Sequence, residues 1–301
     1  MRLKDFLAPV ARDRRRTVAV AMAQDPDIIK CIADAMSMGL ARFALVGERD
    51  SILALAEEKG VDVTDATFVE EPDAERACAR AAELVHAGDA HIPMKGLVAT
   101  AVFLSALLDK RHGLVPPGGL ISHVGLFDAP AYHKPLIITD AGVNIAPSVD
   151  DKARILMNAV EIARRIGIDR PKVACVAPIE VVNPRMQSTV DADELRRRGE
   201  AGAFGDAIVD GPLDLHIAVS RDAARVKGRQ SAVAGDPDVI LLSSIEAANV
   251  CYKCLTQFAG GHACSVIAGM TVPVVCTSRT DDEQTRLLSI GLAAHMDIAF
   301  S

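Results

Sequence analysis

Four short polar stretches in this sequence carry side chains that can bind an anion and move a proton. They are MKGLVAT (94–100), ITDAGVNIAPS (138–148), AIVDGPLDL (207–215) and VPVVCTSRTDD (272–282), and their polar residues follow apolar runs. The last stretch contains Ser278 and Arg279, followed by the carboxylates of Asp281 and Asp282. An arginine can bind an oxyanion through two parallel N–H groups, and a neighbouring carboxylate can serve as a general base.

The other three stretches supply further polar groups for such a site. In chain order these are Lys95 and Thr100, Asp140 and Asn144, and Asp210 and Gly211. Lys95 adds a positive charge, and the backbone N–H groups of helices that begin after Asp140 and Ser278 can add contacts to an anion. A single aspartate at a strand end is as often a helix cap or a turn former as a functional group. Four such strand ends together favour a shared site, and their groups predict one that handles phosphate.

The sequence lacks the usual signatures of several enzyme classes. It contains no G-x-x-x-x-G-K-[ST], no G-x-G-x-x-G after a strand, no H-E-x-x-H and no G-x-S-x-G. Kinase and nicotinamide-dependent functions therefore lose their main support. Cys251 and Cys254 have the spacing of a metal or redox site, but no second C-x-x-C accompanies them, and we expect no bound metal.

Composition limits the class of partner. The 301 residues include 33 Lys and Arg against 40 Asp and Glu, a net charge of −7, and only 3% are aromatic. A general nucleic-acid binder usually has a basic excess and aromatic residues on which bases stack, so we expect no nucleic-acid partner. No uncharged apolar run approaches the ~18 residues needed to span a bilayer, so we expect no membrane partner. The seven cysteines, an odd number mostly set inside apolar runs, indicate reduced thiols in a cytoplasmic protein.

The elements that must position these groups follow from the hydrophobic pattern. Segments of helical period alternate with short apolar runs, among them 90–94, 136–139, 207–209 and 272–276. The clearest helix covers 149–166, with acidic residues in its first turn and arginines in its last. This alternation predicts an α/β fold with a mostly parallel sheet. Ligands of such sheets bind beyond the carboxyl ends of the strands, which is where the four polar stretches lie.

Eight stretches together resemble the phosphate acetyltransferase and phosphate butyryltransferase family, most closely its butyryl branch. In the order of that family they are MKGLVAT (94–100), SHVGLFDAP (122–130), ITDAGVNIAPS (138–148), IEVVNPRMQSTVDA (179–192), AIVDGPLDLHIAVS (207–220), VAGDPDVILL (233–242), IEAANVCYKCL (245–255) and TSRTDD (277–282). No single stretch is decisive, but eight in sequence make chance agreement implausible. The resemblance covers nearly the whole chain.

The resemblance implies the reaction acyl-CoA + phosphate ⇌ acyl phosphate + CoA, with butyryl favoured and acetyl or propionyl as the other short acyl groups. It also implies CoA as a substrate, no tightly bound cofactor and a homodimer. The implied fold is two-lobed α/β/α, like that of isocitrate and isopropylmalate dehydrogenases, with the site in a cleft between the lobes. By that analogy residues 1–126 and 266–301 form one lobe, and residues 127–265 form the other.

The family's Ser–Arg pair matches Ser278 and Arg279, and the resemblance implies that this arginine stabilises phosphate and the developing charge. The general base of the acetyl branch falls on Thr285 here. Asp281, in the S-R-x-D pattern of the butyryl branch, is therefore the better candidate for the base, with Asp282 as its rival. The resemblance also matches five further positions, which it implies either bind substrate or shape the cleft: Asp210, Gly211, Glu246, Asn249 and Lys253.

Departures from the acetyl branch keep two alternatives open. This chain has Ser105 near the position of a phosphate-binding arginine, whose charge Lys95 can replace, and Ala141 where that branch has cysteine. One alternative is a non-catalytic relative that binds CoA or acyl phosphate, since fold alone does not determine function. The other is a metal-dependent decarboxylating dehydrogenase of the same fold, with three aspartates as ligands: Asp140, Asp210 and Asp214.

Overall fold

A computed structural model of the chain describes residues 2–296, and their contacts divide them into two compact units. Among the described residues, the first unit comprises 4–119 and 264–296. The second comprises 120–263 together with Arg2 and Leu3. The resemblance places the boundaries after residues 126 and 265. The structure places the first of them earlier, because the strand that begins at Ser122 pairs with another strand of the second unit.

Strands and helices alternate through most of the described chain. The strands are β1 (Thr17–Ala21), β2 (Arg42–Gly47), β3 (Thr67–Glu70), β4 (Ile92–Lys95), β5 (Ser122–Asp128), β6 (Leu136–Thr139), β7 (Lys172–Val176), β8 (Ile208–Leu213), β9 (Val239–Leu241) and β10 (His262–Ala268). The helices are α1 (Pro26–Ser37), α2 (Arg49–Lys59), α3 (Ala74–His86), α4 (Thr100–Leu107), α5 (Val149–Arg165), α6 (Gln187–Glu200), α7 (Leu215–Val219), α8 (Arg221–Val226), α9 (Ile245–Gln257) and α10 (Glu283–His295). Short 3-10 helices lie at Leu3–Leu7 and Lys110–His112.

The first unit is built on a parallel sheet of strand order β3-β2-β1-β4. Nearly every side chain of β1, β2 and β4 is buried, which explains why these strands are continuous apolar runs. The edge strand β3 is short and half-exposed. The inner strands of this sheet therefore form its core, and the polar residues that follow β4 lie at a carboxyl end.

Gly96 allows the chain that leaves β4 to pass close to the end of β1. Its N–H donates to the Ala21 carbonyl at 2.9 Å, and the next N–H donates to the Met22 carbonyl at 2.7 Å. A Cβ atom on Gly96 would lie 2.1 Å from that Met22 oxygen, which is far inside van der Waals contact. The glycine therefore fixes where the chain turns, and with it the position of Lys95, the last residue of β4.

The second unit contains the strands β5-β6-β9-β7-β8 in that order, and β10 begins in this unit. The pair β5–β6 is antiparallel, whereas β6–β9, β9–β7 and β7–β8 are parallel. Aromatic and aliphatic side chains from β5, β6 and α9 form its main core, among them Phe127, Ile138 and Tyr252. Ser148 and Asp151 close a capping box at the start of α5, which explains why the helix begins there.

The predicted α/β fold with mostly parallel strands is confirmed. The predicted helix over 149–166 corresponds to α5, but the strand predicted over 272–276 is wrong. That segment makes only isolated bridges, at Val274 and Val275 among the described residues. Pro273 lacks the N–H group that a continuing ladder would need, which explains the difference. The sequence did not predict β3, whose four residues make a weak apolar signal.

No helix in the described part of the chain has the length and apolarity needed to cross a bilayer. All seven cysteines are free, and four of them are buried. Cys251 and the exposed Cys254 both lie on α9. Within residues 2–296, no group of three or more His, Cys, Asp or Glu side chains is arranged to hold a metal ion.

Candidate functional site

The chain that follows the bridge at Val275 forms a tight turn around Ser278. The Ser278 N–H donates to Asp281 Oδ2 at 2.8 Å, and the Asp281 N–H donates to the Ser278 carbonyl at 3.2 Å. The Ser278 hydroxyl lies 3.1 Å from the Thr280 hydroxyl. Asp281 is half-buried, whereas Arg279 is exposed. The turn therefore places one carboxylate and one hydroxyl beside an exposed guanidinium.

Asp282 has a different role from its neighbour Asp281. It is the N-cap of α10, where its Oδ1 accepts the Thr285 N–H at 2.7 Å. An aspartate at this position satisfies a free helix N–H and places a negative charge at the positive end of the helix dipole. The structure thus separates the two candidate bases. Asp281 closes the turn onto Ser278, and Asp282 starts the helix.

Lys95 is buried at the carboxyl end of β4, with only 5% of its surface exposed. Its Nζ donates to the Gly96 carbonyl at 3.3 Å. Burial lowers the pKa of Lys95, and the nearby charges of Arg279 and Arg286 also lower it, while Cys276 and Asp25 act in the opposite direction. The Lys95 N–H donates to the Val275 carbonyl at 2.9 Å, so the end of β4 lies beside the segment that leads to Arg279. We call Lys95, Arg279 and Arg286 the cation cluster.

Arg286 is the member of the cation cluster that the sequence did not reveal. It lies near the start of α10 and is 6% exposed. Its Nη2 donates to the Arg279 carbonyl at 3.0 Å, and its Nη1 lies 3.5 Å from Asp27 Oδ2. The sequence feature that could have indicated Arg286 is its position at the start of a long apolar run, RLLSIGLAA, which ends at Ala294. An arginine in such a run is buried only when it is paired or hydrogen-bonded.

Cys276 and Thr100 lie beside the same cations. Burial raises the pKa of the Cys276 thiol to about 11, although Lys95 and a hydrogen bond with Thr100 act to lower it. Thr100 is exposed at the start of α4. The structure therefore brings Lys95, Thr100, Ser278 and the Arg279 backbone together in the first unit, with a thiol that stays protonated near neutral pH.

Asp140 anchors a loop of the second unit through both of its carboxylate oxygens. Oδ1 accepts the N–H groups of His123 at 3.0 Å, Gly142 at 3.0 Å and Val143 at 3.1 Å. Oδ2 accepts the backbone N–H of Asn144 at 3.0 Å and its side-chain amide at 2.6 Å. A carboxylate with five such donors holds the backbone in place and has little capacity left for a metal ion. A role of Asp140 and Asn144 in substrate binding stays a prediction.

Three predicted positions lie on α9, and one of them, Asn249, supports the loop that Asp140 anchors. Asn249 donates its side-chain amide to the Ala141 carbonyl at 3.0 Å. Lys253 lies over the Tyr252 ring, 5.2 Å from its centroid, and the ring itself is buried. Glu246 is exposed near the start of α9, where a hydrogen bond with Ser244 lowers its pKa. Asn249 is thus part of the loop's support, while Glu246 and Lys253 lie at the surface of the helix.

Asp210 and Gly211 lie on β8, which is separated from β6 by two strands. Asp210 Oδ1 accepts the Gly211 N–H at 2.8 Å and the Arg229 Nη2 at 2.7 Å. Both residues line a cavity of ≈ 520 Å³ within the second unit. Gly211 is needed there because a Cβ atom would lie 2.7 Å from Cys175 Cβ.

The distance between β6 and β8 tests whether three aspartates could share a metal ion, as the alternative of a decarboxylating dehydrogenase requires. Strand neighbours in a sheet are ~4.8 Å apart, so three spacings separate the strands of Asp140 and Asp210 by about 14 Å. Asp214 caps α7 and accepts the His216 N–H at 2.9 Å. The three carboxylates therefore serve as separate local anchors, and their geometry does not favour a common metal site.

Comparison with known proteins gives a consistent result over nearly the whole chain. The model of the family described as Phosphate acetyl/butaryl transferase matches residues 50–294. A phosphate butyryltransferase of Clostridium acetobutylicum is 41% identical over 290 residues, which cover 96% of this chain and 96% of that protein.

Two solved structures show the same architecture. The crystal structure of a branched-chain phosphotransacylase from Enterococcus faecalis V583 has a TM-score of 0.82 at 30% identity, covering 93% of this chain and 98% of that one. A 4-hydroxythreonine-4-phosphate dehydrogenase from Klebsiella pneumoniae has a TM-score of 0.58 at 13% identity, covering 93% and 99%. At that identity the second likeness concerns the fold alone, and it confirms the predicted similarity to a dehydrogenase fold.

Proposed function

This chain belongs to the phosphate acetyl/butyryl transferase family, and on that premise we propose that it transfers a short acyl group between coenzyme A and phosphate. The reaction is acyl-CoA + phosphate ⇌ acyl phosphate + CoA. The cation cluster beside Ser278 and Asp281 is the observation that carries the proposal, and hydrogen bonds join its segments from Lys95 to Val275 and from Arg286 to Arg279. Both directions of the reaction involve a phosphate group, and a group of buried and exposed cations is suited to bind it.

Arg279 and Lys95 hold the phosphate group in this proposal. The exposed guanidinium of Arg279 can donate two parallel N–H groups to phosphate oxygens, and the Lys95 ammonium adds a point charge. The Ser278 hydroxyl supplies a further donor next to them. These fixed donors stabilise the negative charge that develops on the carbonyl oxygen and on the leaving phosphate.

Asp281 is the proposed general base when CoA attacks an acyl phosphate. Its carboxylate takes the thiol proton, and the resulting thiolate forms a bond to the acyl carbon. The bond between that carbon and the phosphate oxygen then breaks, and phosphate leaves with the electron pair toward Arg279 and Lys95. In the reverse direction the protonated Asp281 returns the proton to the departing CoA thiolate.

Cys276 supports direct transfer between the two substrates. A covalent route through Cys276 would need its thiolate, and burial raises the pKa of Cys276 to about 11. A thiol with such a pKa is almost fully protonated at neutral pH and is a poor nucleophile. The reactive sulfur is therefore that of CoA, which enters as a substrate and not as a resident cofactor.

The acyl group that we propose is short, with butyryl favoured over propionyl and acetyl. Support comes from the relatives, since one is a phosphate butyryltransferase and another is a branched-chain phosphotransacylase. One methylene group in an apolar pocket changes specificity by only ~1–3 kcal/mol, so neighbouring chain lengths will also react. Measuring kcat/KM with acetyl-, propionyl-, butyryl- and isobutyryl-CoA checks this preference. A maximum at acetyl-CoA would refute it.

The assembly, the location and the remaining contacts are also proposals. We propose a cytoplasmic homodimer, which light scattering of the purified protein would test through its mass. We further propose that CoA or the acyl group contacts the other matched positions, which are Thr100, Asp140, Asn144, Asp210, Gly211, Glu246, Asn249 and Lys253.

Phosphate-dependent release of free thiol from acyl-CoA is the experiment that tests the function. The Arg279→Ala variant should lose on the order of 3 kcal/mol of transition-state stabilisation, about a hundredfold in rate. Arg154→Ala is a matched control, because Arg154 is an exposed arginine on α5 of the second unit. A folded Arg279→Ala enzyme with full turnover would overturn the assigned role. A wild-type protein that binds acyl-CoA but frees no CoA thiol when phosphate is added would instead support the non-catalytic alternative.

A further inference from the structure

Arg286 is a buried arginine at the head of an apolar helix. Every residue from Arg286 to Ala294 in α10 is buried, and Arg286 brings the only formal charge into that run. Removing a guanidinium from water is costly unless hydrogen bonds and charges compensate for it. The contacts of Arg286 therefore indicate what its burial achieves.

The first contact of Arg286 is with the backbone of the tight turn around Ser278. Its Nη2 donates to the carbonyl oxygen of Arg279 at 3.0 Å. That carbonyl belongs to the residue whose side chain is proposed to bind phosphate, and α10 fixes the donor in place. Arg286 therefore restrains the backbone from which the Arg279 guanidinium extends.

The carboxylates near Arg286 are Asp27 and Glu283, and both are exposed, so they compensate its charge only weakly. The distance from Nη1 to Asp27 Oδ2 is 3.5 Å, and the Asp27 side chain is 67% exposed. An exposed and long ion pair contributes little, because water and salt screen it. The positive charge of Arg286 reaches the buried ammonium of Lys95, since it acts to lower the pKa of that lysine. Arg286 therefore adds a buried positive charge to this end of the site, where Asp25 supplies opposing negative charge.

We propose that Arg286 is a positioning residue for phosphate, which orients Arg279 through its carbonyl and adds a second guanidinium charge to the site. The inference rests on the proposed acyl transfer to phosphate and names the residue that sets phosphate affinity. Acyl-CoA has no phosphate at its reacting end, so its binding depends less on Arg286. The loss of Arg286 should therefore weaken phosphate binding selectively.

Two substitutions at this position separate charge from geometry. Arg286→Gln removes the charge and keeps a hydrogen-bond donor of reduced reach, whereas Arg286→Lys keeps the charge without the planar fork. We expect Arg286→Gln to raise the KM for phosphate at least about tenfold and the KM for acyl-CoA less than about twofold. Arg286→Lys should recover part of the phosphate affinity. Asp27→Asn is the control for the long ion pair, and both of its KM values should stay near those of the wild type.

A second measurement does not depend on turnover. Inorganic phosphate should raise the Tm of the wild-type protein, and this rise should be largely lost in Arg286→Gln. Equal rises in Tm for the two proteins, or an unchanged KM for phosphate in a folded Arg286→Gln or Arg286→Lys enzyme, would overturn the inference. The proposed function fails by a different result, which is the absence of phosphate-dependent CoA release by the wild type.

Discussion

The two neighbouring carboxylates Asp281 and Asp282 allow a sharp test of the mechanism. Asp281→Asn removes the proposed base but leaves an amide oxygen that can still accept the Ser278 N–H, which lies 2.8 Å from Oδ2. The turn should therefore survive this substitution. Asp282→Asn makes the same change of charge one residue later, and asparagine caps a helix about as well as aspartate does. The second variant is thus a matched control for the first.

The expected size of the effect follows from these different roles. Proton transfer by a positioned base contributes about 10²–10⁴ in rate, which corresponds to ~2.7–5.4 kcal/mol of activation free energy. Asp281→Asn should lose this amount in the attack of CoA on an acyl phosphate. Asp282→Asn should stay close to the wild type in rate. Asp282→Ala should lose ~1 kcal/mol of stability, because the Thr285 N–H loses its acceptor.

The assay is the formation of thioester from acyl phosphate and CoA over a range of pH. A thiol ionises by itself near pH 8.5, so alkaline pH replaces a missing general base. The rate of Asp281→Asn relative to the wild type should therefore rise toward that pH. Unfolding curves of all variants would confirm that the measured enzymes are folded.

Equal activity of Asp281→Asn and Asp282→Asn would refute this assignment of the base. A selective loss in Asp282→Asn would transfer the role to Asp282 and would mean that its carboxylate does more than cap α10. A deficit of Asp281→Asn that does not change with pH would argue for a purely structural role in the turn.

Three further predictions concern charge and packing. Because burial lowers the pKa of Lys95, its positive charge disappears as pH rises through a value below 10.5, so the KM for phosphate should rise earlier than for an ordinary lysine. Lys95→Arg should move that alkaline limb upward in a pH profile, and an unshifted limb would contradict the role of Lys95. Burial raises the pKa of Asp236, but hydrogen bonds from Lys172 and Lys134 outweigh it and leave the pKa below the usual range. The stabilisation is then present above the unfolded value near pH ~3.9 and is lost as pH falls further, so Asp236→Asn should be less stable at pH 7 and less sensitive to acid in urea unfolding. Gly96→Ala should destabilise the first unit by ~1–3 kcal/mol, because its Cβ would lie 2.1 Å from the Met22 oxygen, and an unchanged Tm would contradict this close approach.

The strand-end aspartates illustrate how one residue type serves different purposes in this fold. Asp140 accepts five N–H groups and holds a loop, Asp210 pairs with Arg229, and Asp214 caps a short helix. The sequence weighs a cap against a functional group about evenly at each such position. In the described structure each of these carboxylates accepts hydrogen bonds from nearby residues, and Asp210 also binds the distant Arg229. The part of Asp140 and Asp210 in substrate binding stays a prediction.

Much of the architecture was determined by the sequence alone. The apolar runs of β1 and β4 and the capped helix α5 follow from local rules of periodicity and capping, which depend on residues close together in the chain. The T-S-R-T-D-D stretch likewise showed by itself that a hydroxyl, a guanidinium and two carboxylates lie close together in the chain. The prediction of a strand over 272–276 was wrong because Pro273, a single residue, interrupts the hydrogen-bonded ladder.

Only the tertiary structure determined which partners these groups contact. It separated Asp281 from Asp282, because one accepts a hydrogen bond from Ser278 and the other accepts one from Thr285 in α10. It also brought Lys95, from the end of β4, to Arg279 and Arg286 near the start of α10, which are almost two hundred positions later in the chain. The sequence gives the chemical groups that each side chain carries. The hydrogen bonds and charges that it meets, and hence its pKa and its role, depend on contacts that only the folded chain creates.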